Sequence, residues 1–172
     1  DPDYPVQQLQ ADLARVQRQR KEMDQDSTTP DTRLSETPNP LNPANSSCLI
    51  ELMVGGCSNG LDSGMPLHSY LRYFDRNARR PGLPPNAAAL VEKVSSRTVD
   101  ISIVNIDQGK PCSLVLQAGT YGEHRFIDVT INGVPRKVGA SAIDIHLSPG
   151  AGRRLSLTID RFSAKPSLVF PW

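Results

Sequence analysis

The sequence predicts an all-β protein: an antiparallel β-sandwich of about seven or eight strands, preceded by an N-terminal helix and an extended arm. Short stretches of alternating apolar and polar residues recur through the second half of the chain, which is typical of strands with one buried face. Gly, Pro and Asn-Gly turn signals separate these stretches. An apolar repeat with helical spacing occurs near the N-terminus instead.

Length and charge limit the possible functions. The 172 residues are enough for one domain of ordinary size with an appendage. With 19 Lys and Arg against 18 Asp and Glu, the net charge is +1, which gives no electrostatic argument for nucleic acid as a partner. No apolar run approaches the roughly 20 residues that cross a bilayer, so we expect no membrane span. The chain begins with Asp1 rather than Met, and we expect further sequence upstream.

Residues 1–47 form the predicted arm. Its apolar side chains Val6, Leu9, Leu13 and Val16 follow a 3,4,3 spacing, and Met23 lies one heptad beyond. This spacing places them on one stripe of a helix that starts after Pro5. Because so narrow a stripe does not stabilise a short helix alone, we expect it to dock on the body of this chain or on a partner. Four prolines between Asp24 and Ser47 predict an extended strap.

The body is predicted to span residues 48–172. Its first run, Cys48–Val54, is apolar, short and followed by two glycines, and we interpret it as a buried strand. Residues 55–87 are rich in Gly and Pro and are interpreted as a long loop, which is unusual in a compact domain unless it binds or covers something. The strands predicted after this loop lie around residues 88–94, 99–104, 114–116, 123–131, 134–138, 143–147 and 155–159.

Residues 88–160 resemble the β-sandwich domains that close many large secreted carbohydrate-active enzymes. The resemblance rests on a strand that ends in Val104–Asn105, a hairpin turn at Asn132–Gly133 and a later turn at Pro149–Gly150. It implies a C-terminal accessory role beside a catalytic domain, in an extracellular or cell-envelope location. It supplies no catalytic residue.

No motif for metal or nucleotide binding is present in the sequence. HExxH, CxxC and GxxxxGK[ST] patterns are all missing, and the three histidines, at positions 68, 124 and 146, are far apart along the chain. We therefore predict no catalytic residue, no cofactor and no metal site.

Three features are candidate ligand or partner surfaces. The loop carries aromatic rings, which can stack on a sugar or fill an interface, among arginines that donate to carboxylates. A polar segment precedes one strand, and the apolar C-terminus is expected to be docked. The alternatives are a loop whose aromatics cover one end of the sandwich and an ion pair at a strand edge. The candidate residues are Tyr70, Arg72, Tyr73, Phe74, Arg76, Tyr121, Glu123, His124 and Trp172.

Cys48 and Cys57 are candidates for a disulfide bond, with Cys112 left unpaired. Three reduced, buried thiols are the alternative.

Two functions of different classes stay open. The first is a non-catalytic β-sandwich module or small subunit of a larger extracellular or envelope assembly, carbohydrate-active by the resemblance, which stabilises its partner through the arm. The alternative is a self-assembling structural subunit of a filament, coat or surface layer, whose partners are copies of itself. A third hypothesis is a small enzyme that uses Glu123, His124 and an acid such as Asp75 or Asp107.

Overall fold

The structure is a computed structural model that describes residues 1–33, 47–57 and 68–172, with the backbone alone for Ser47 and Cys57. The predicted strap therefore lies largely outside the described residues. In the described part, helices α1 (Tyr4–Gln25) and α2 (Ser47–Val54) precede the strands. The strands are β1 (Gly56–Cys57), β2 (His68–Ser69), β3 (Leu71–Asp75), β4 (Arg80–Pro81), β5 (Ala87–Val94), β6 (Thr98–Asn105), β7 (Cys112–Ala118), β8 (Arg125–Ile131), β9 (Val134–Ala140), β10 (Ala142–Leu147) and β11 (Gly152–Asp160).

Most of the described chain forms two antiparallel sheets. One has five strands in the order β5-β6-β11-β8-β9, and the other has four in the order β10-β7-β3-β4. Strands β1 and β2 pair separately. A mostly β chain with a helix at its N-terminus is thus confirmed, with a strand count close to the prediction.

One hydrophobic core cluster draws on both sheets. Alternate residues of each strand point into it, because side chains on a strand alternate between the two faces of its sheet. Leu114 and Leu116 of β7 come from the four-stranded sheet, whereas Ile101 of β6 and Leu157 of β11 come from the five-stranded sheet, and all four are buried. The alternation that predicted the strands also selects their buried faces.

The hairpin between β8 and β9 forms where the sequence predicts it. Asn132 and Gly133 have φ values of 50° and 83°, and Ile131 pairs with Val134 across the turn. Both central positions of such a turn need positive φ, which Asn and Gly adopt at low cost.

The prediction of a strand for Cys48–Val54 is wrong, because this run forms α2. Cys48 and Leu52, one helical turn apart, are both buried, and the helix packs against β5 and α1. Its end is set by Gly55, which has φ 68° and donates its backbone N–H to the carbonyl of Glu51, as glycine commonly does after a helix. A uniformly apolar run of this length has no periodicity that separates a helix from a strand.

The interpretation of residues 55–87 as one loop is also wrong in part. Within it, β3 lies between β4 and β7 in the four-stranded sheet, and Leu71 and Tyr73 belong to the core cluster. Residues 58–67 lie outside the described residues. Because Gly and Pro residues flank β3, which has only five residues, the sequence pattern of the whole region was typical of a loop.

Helix α1 confirms the predicted N-terminal helix and contacts α2 and β5. Pro5 lies in its first turn, where a missing N–H removes no hydrogen bond within the helix. The backbone of Asp1 also pairs with Val94 at the end of β5. Neither described helix has an apolar stretch long enough to cross a membrane.

The shared core predicts a large loss of stability for Leu116→Ala. Leu116 is fully buried on a strand with neighbours on both sides, Tyr73 and Ile143 being its register partners. We expect the free energy of unfolding to fall by about 2–5 kcal/mol, measured by urea denaturation. Leu168→Ala, at a position that is 81% exposed, is the control and should change it by less than about 0.5 kcal/mol. Equal effects of the two substitutions would contradict this assignment of the core.

Candidate functional site

The C-terminal segment, residues 161–172, is docked against the body of the chain. The backbone N–H of Ala164 donates to the carbonyl of Glu123 at 3.1 Å, and that of Ser167 donates to the carbonyl of Tyr121 at 2.8 Å. These bonds hold the segment against the loop between β7 and β8. The predicted docking of the apolar C-terminus is therefore confirmed in part, because Leu168 and Val169 of the same segment are 81% and 80% exposed.

An aromatic cluster ends the C-terminal segment. The rings of Phe170 and Trp172 lie edge-on to Phe74, with centroids 5.7 Å and 5.5 Å from it, in the T-shaped geometry that aromatic pairs prefer. The guanidinium of Arg72 lies 4.9 Å from the Phe74 centroid and donates to the carbonyl of Thr120 at 2.9 Å. Since Tyr73 points into the core, its neighbours Arg72 and Phe74 are on the outer face of the four-stranded sheet, which the segment covers.

His124 and Glu123 form a second contact with the segment. His124 is 3% exposed, and its Nδ1 accepts a hydrogen bond from the backbone N–H of Phe162 at 3.0 Å. One carboxylate oxygen of Glu123 accepts from the backbone N–H of Tyr121 at 2.7 Å, and the other lies 3.8 Å from His124 Nε2. Both side chains therefore hold the loop and the segment in place.

The electrostatic surroundings of His124 favour its neutral form. Burial has the largest effect and lowers the pKa of His124 below its usual value. The Glu123 carboxylate and a hydrogen bond to the Glu123 backbone act in the opposite direction, and the Arg161 guanidinium lowers the pKa further. Arg161 itself lies over the rings of Tyr70 and Phe162, 5.2 Å from each centroid. A small cavity of about 60 Å³ separates these groups from His68.

The structure brings most of the predicted surface residues together but buries three of them. Tyr70, Arg72, Tyr121, Glu123 and Trp172 all contact the C-terminal segment or the loop that holds it. The prediction that Tyr73, Phe74 and His124 offer an accessible surface is wrong for this chain, because each is at most 3% exposed.

The burial of these aromatic residues has separate causes. The Tyr73 ring lies in the core and its hydroxyl donates to the carbonyl of Met53, whereas Phe74 lies under the C-terminal segment. Arg76, the remaining candidate, forms an ion pair with Asp144 of β10 at 3.2 Å. Tyr73 and Phe74 are therefore packing residues of strand β3 rather than aromatic residues of a loop.

The apolar stripe of α1 is exposed. Val6, Leu9 and Leu13 are 53%, 53% and 58% exposed, and Met23 is exposed as well, while Val16 is half-buried. The helix instead packs through another face, whose half-buried residues are Tyr4, Gln8, Asp12, Arg15 and Gln19. At 100° per residue the two faces are separated by roughly a third of a turn. The stripe that predicted docking thus does not dock on the described body of this chain.

The predicted disulfide bond is not formed. Cys48 is a free, buried thiol, as is Cys112, and burial raises the pKa of each. The side chain of Cys57 lies outside the described residues. Cys48 lies in α2, where it lines a cavity together with Gln8, Asp12 and Arg15 of α1.

A polar groove that the sequence analysis missed lies on the outer face of the five-stranded sheet. It measures about 410 Å³ and includes Glu92, Asp100 and Arg154. Glu92 accepts from the hydroxyl of Ser102 at 2.6 Å and from Arg154 at 3.2 Å, and Asp100 accepts from Ser156 at 2.6 Å. The alternating polar residues of β6 and β11 signalled this face. Since its carboxylates already bond side chains of neighbouring strands, we interpret the groove as a solvent-exposed row of hydrogen-bonded polar side chains.

Metal ligands do not converge in the part of the chain that the structure describes, where no group of three His, Cys, Asp or Glu side chains could hold an ion. His68 and His124, distant in sequence, do line the same small cavity.

No protein-family model matches the chain, and neither the curated proteins nor the solved structures contain a significant match. The resemblance to accessory domains of carbohydrate-active enzymes thus stays a prediction. The function must be inferred from the geometry of this chain.

A matched pair of glycine substitutions tests the Glu123 contact. Gly119 and Gly133 both have positive φ, 84° and 83°, but a Cβ on Gly119 would lie 2.5 Å from the Glu123 carboxylate, whereas one on Gly133 meets nothing within 4 Å. We expect Gly119→Ala to cost about 1 kcal/mol more stability than Gly133→Ala, because the displaced carboxylate loses its backbone hydrogen bond. It should also lower the pKa of His124, measured by NMR titration. Equal losses and an unchanged His124 pKa would show that this contact is unimportant.

Proposed function

We propose that the chain is a non-catalytic β-sandwich module or small subunit that docks on a larger polypeptide through α1 and stabilises it. The setting we propose is an extracellular or cell-envelope assembly of the carbohydrate-active kind, in keeping with the resemblance of residues 88–160. The observation that carries the proposal is the exposed apolar stripe of α1.

The stripe supports docking on another chain because of its position and spacing. Exposed apolar patches on a folded protein commonly mark interaction sites, and the side chains of Val6, Leu9 and Leu13 follow the spacing by which helices pack along a seam. Complete burial of a Leu side chain contributes about 1.5–3 kcal/mol. Covering a half-exposed Leu therefore contributes on the order of 1 kcal/mol, and several together support a stable contact.

A charge within the stripe favours a partner other than a second copy. Arg20 falls at the heptad position between Val16 and Met23, and its ion pair with Asp24 is long, 3.9 Å, and exposed. In a parallel pair of identical helices the two Arg20 side chains would face each other, which is unfavourable. A partner surface with a carboxylate opposite Arg20 avoids this repulsion.

The absence of catalysis is proposed from the candidate residues themselves. Glu123 and His124 both accept hydrogen bonds from backbone N–H groups beside a cavity of about 60 Å³. The candidate acids Asp75 and Asp107 instead line a separate cavity of about 340 Å³. Both acids also accept hydrogen bonds from backbone N–H groups, so the candidate residues do not converge on one cavity. The sandwich arrangement is proposed from the core, since one cluster collects the inner faces of both sheets.

The self-assembling structural subunit is the second candidate. The heptad spacing of the stripe also suits a copy of α1, particularly in an antiparallel pair, where Arg20 would face Leu9 of the other copy. The two candidates differ in whether the chain associates without a second polypeptide.

The test compares stripe and control variants of the recombinant chain. Leu9→Gln with Leu13→Gln removes the centre of the stripe, and Ala14→Gln with Lys21→Gln changes exposed positions outside it. Native mass spectrometry of the natural assembly first identifies the larger chain and its stoichiometry. Purified partner should then bind the stripe variant about thirtyfold more weakly than the wild type, the equivalent of about 2 kcal/mol, and the control variant with unchanged affinity.

Two results would overturn the proposal. Concentration-dependent assembly of the wild-type chain alone, lost in the stripe variant, would establish the self-assembling subunit instead. Turnover of a substrate by the isolated monomer, abolished by Glu123→Gln with the fold intact, would establish an enzyme.

A further inference from the structure

We propose that His124 is a pH-sensitive latch, which holds the C-terminal segment on the body when the imidazole is neutral and releases it when the imidazole is protonated. The inference is independent of the proposed function, since it concerns a different face of the molecule.

The hydrogen bond from Phe162 defines the closed state of the latch. His124 Nδ1 accepts the backbone N–H of Phe162 at 3.0 Å, which requires that Nδ1 carry no proton and that the neutral imidazole carry its proton on Nε2. The two rings also meet edge to face, with centroids 4.8 Å apart. A second proton on the imidazole would occupy Nδ1 and remove this acceptor.

The backbone of Phe162 depends on that contact. Its φ is 55°, a left-handed conformation that a bulky residue adopts only when its surroundings impose it. The Phe162 side chain is 65% exposed, so burial of that ring does not hold it in place. The bond to His124 and the edge contact with its ring act on Phe162 together with the Arg161 guanidinium, which lies 5.2 Å from the Phe162 ring centroid.

Among the described residues, the titratable or charged groups that face His124 come from the loop between β7 and β8, from β2 and the residue before β3, and from the C-terminal segment. The Glu123 carboxylate, 3.8 Å from Nε2, favours protonation, but its other oxygen is bonded to the backbone of Tyr121. Arg161, which follows β11, opposes protonation. His68 of β2 and Tyr70, just before β3, line the same cavity. Protonated His124 would thus be a buried cation that shares its cavity with Arg161.

The direction of the pH dependence follows from these contacts. Burial lowers the pKa of His124 in the docked state, whereas a released, hydrated imidazole titrates near its ordinary value of about 6.5. The released state therefore binds more protons than the docked state as the pH falls below that value. The release equilibrium rises by up to about tenfold per pH unit until the docked-state pKa is reached.

Release would uncover the part of the outer face of the four-stranded sheet that surrounds Phe74. The segment that follows Phe162 is held by two backbone hydrogen bonds to the loop between β7 and β8 and by the rings of Phe170 and Trp172 on Phe74. Phe74 is 1% exposed although it points away from the core. Loss of the segment would leave its ring and the side chain of Val115, its register partner on β7, open to water or to a partner.

Trp172 is the single tryptophan of the chain and reports on the segment directly. We expect acrylamide quenching of its fluorescence to increase about twofold between about pH 7.5 and about pH 5, reversibly and with unchanged far-UV circular dichroism. Constant quenching across this range would overturn the latch.

Matched variants assign the transition to His124. In His124→Asn the amide oxygen takes the place of Nδ1 as an acceptor that does not titrate, so quenching should stay low at both pH values. His146→Asn changes an exposed histidine that bonds Ser113 on β10 and β7, and it should keep the wild-type transition. An unaltered transition in His124→Asn would overturn the proposal.

Wild-type NMR provides a test that needs no variant. Imidazole nitrogen shifts should show His124 protonated at Nε2 alone at neutral pH, and amide exchange of Phe162 should accelerate along the titration curve of His124. A proton on Nδ1 at neutral pH, or Phe162 exchange that follows a different histidine, would contradict the latch.

Discussion

The structure depends on one hydrophobic core to which both sheets contribute. Inward-facing residues of β6 and β11 meet those of β7 and β10, and apolar burial of this extent is the main favourable contribution to folding. The core also fixes the position of α2, because the Tyr73 ring lies in it while the Tyr73 hydroxyl donates to Met53. The surfaces available for binding are therefore the outer faces of the two sheets and the exposed face of α1.

These three surfaces differ in the side chains that they expose. The five-stranded sheet exposes a row of polar side chains, whose carboxylates bond hydroxyl and guanidinium groups of neighbouring strands. On the outer face of the four-stranded sheet, the C-terminal segment of the same chain covers the area around Phe74, while Asp144 and His146 of β10 stay exposed. The apolar stripe of α1 is left uncovered. The C-terminal segment also leaves Leu168 and Val169 exposed, but the apolar side chains of the stripe share one face of a regular helix, which is why we assign the intermolecular contact to the stripe.

The sequence contained enough information for the strands and the hairpin but not for several site residues. Period-two alternation identifies β6, β7, β10 and β11 because it reports directly on burial, and Asn132–Gly133 specifies the turn between β8 and β9. The seven apolar residues Cys48–Val54 suit a helix or a strand equally. The aromatic side chain of Phe74 likewise suited either a ligand-binding surface or a buried position, and its burial depends on the C-terminal segment, which is distant in the sequence. The 3,4,3 spacing of α1 predicted a helix and an apolar face, but the element that a face contacts depends on tertiary structure.

Hydrogen exchange of α1 tests the central claim most directly. The amides of residues 6–23 would be compared between the isolated chain and the same chain within its native assembly, with the edge strand β9 as an internal reference. We predict that exchange in α1 slows by more than about tenfold in the assembly, since docking adds to the free energy of local opening. Exchange in β9 should be unchanged. Equal exchange of α1 in the two states, with new protection elsewhere, would contradict it.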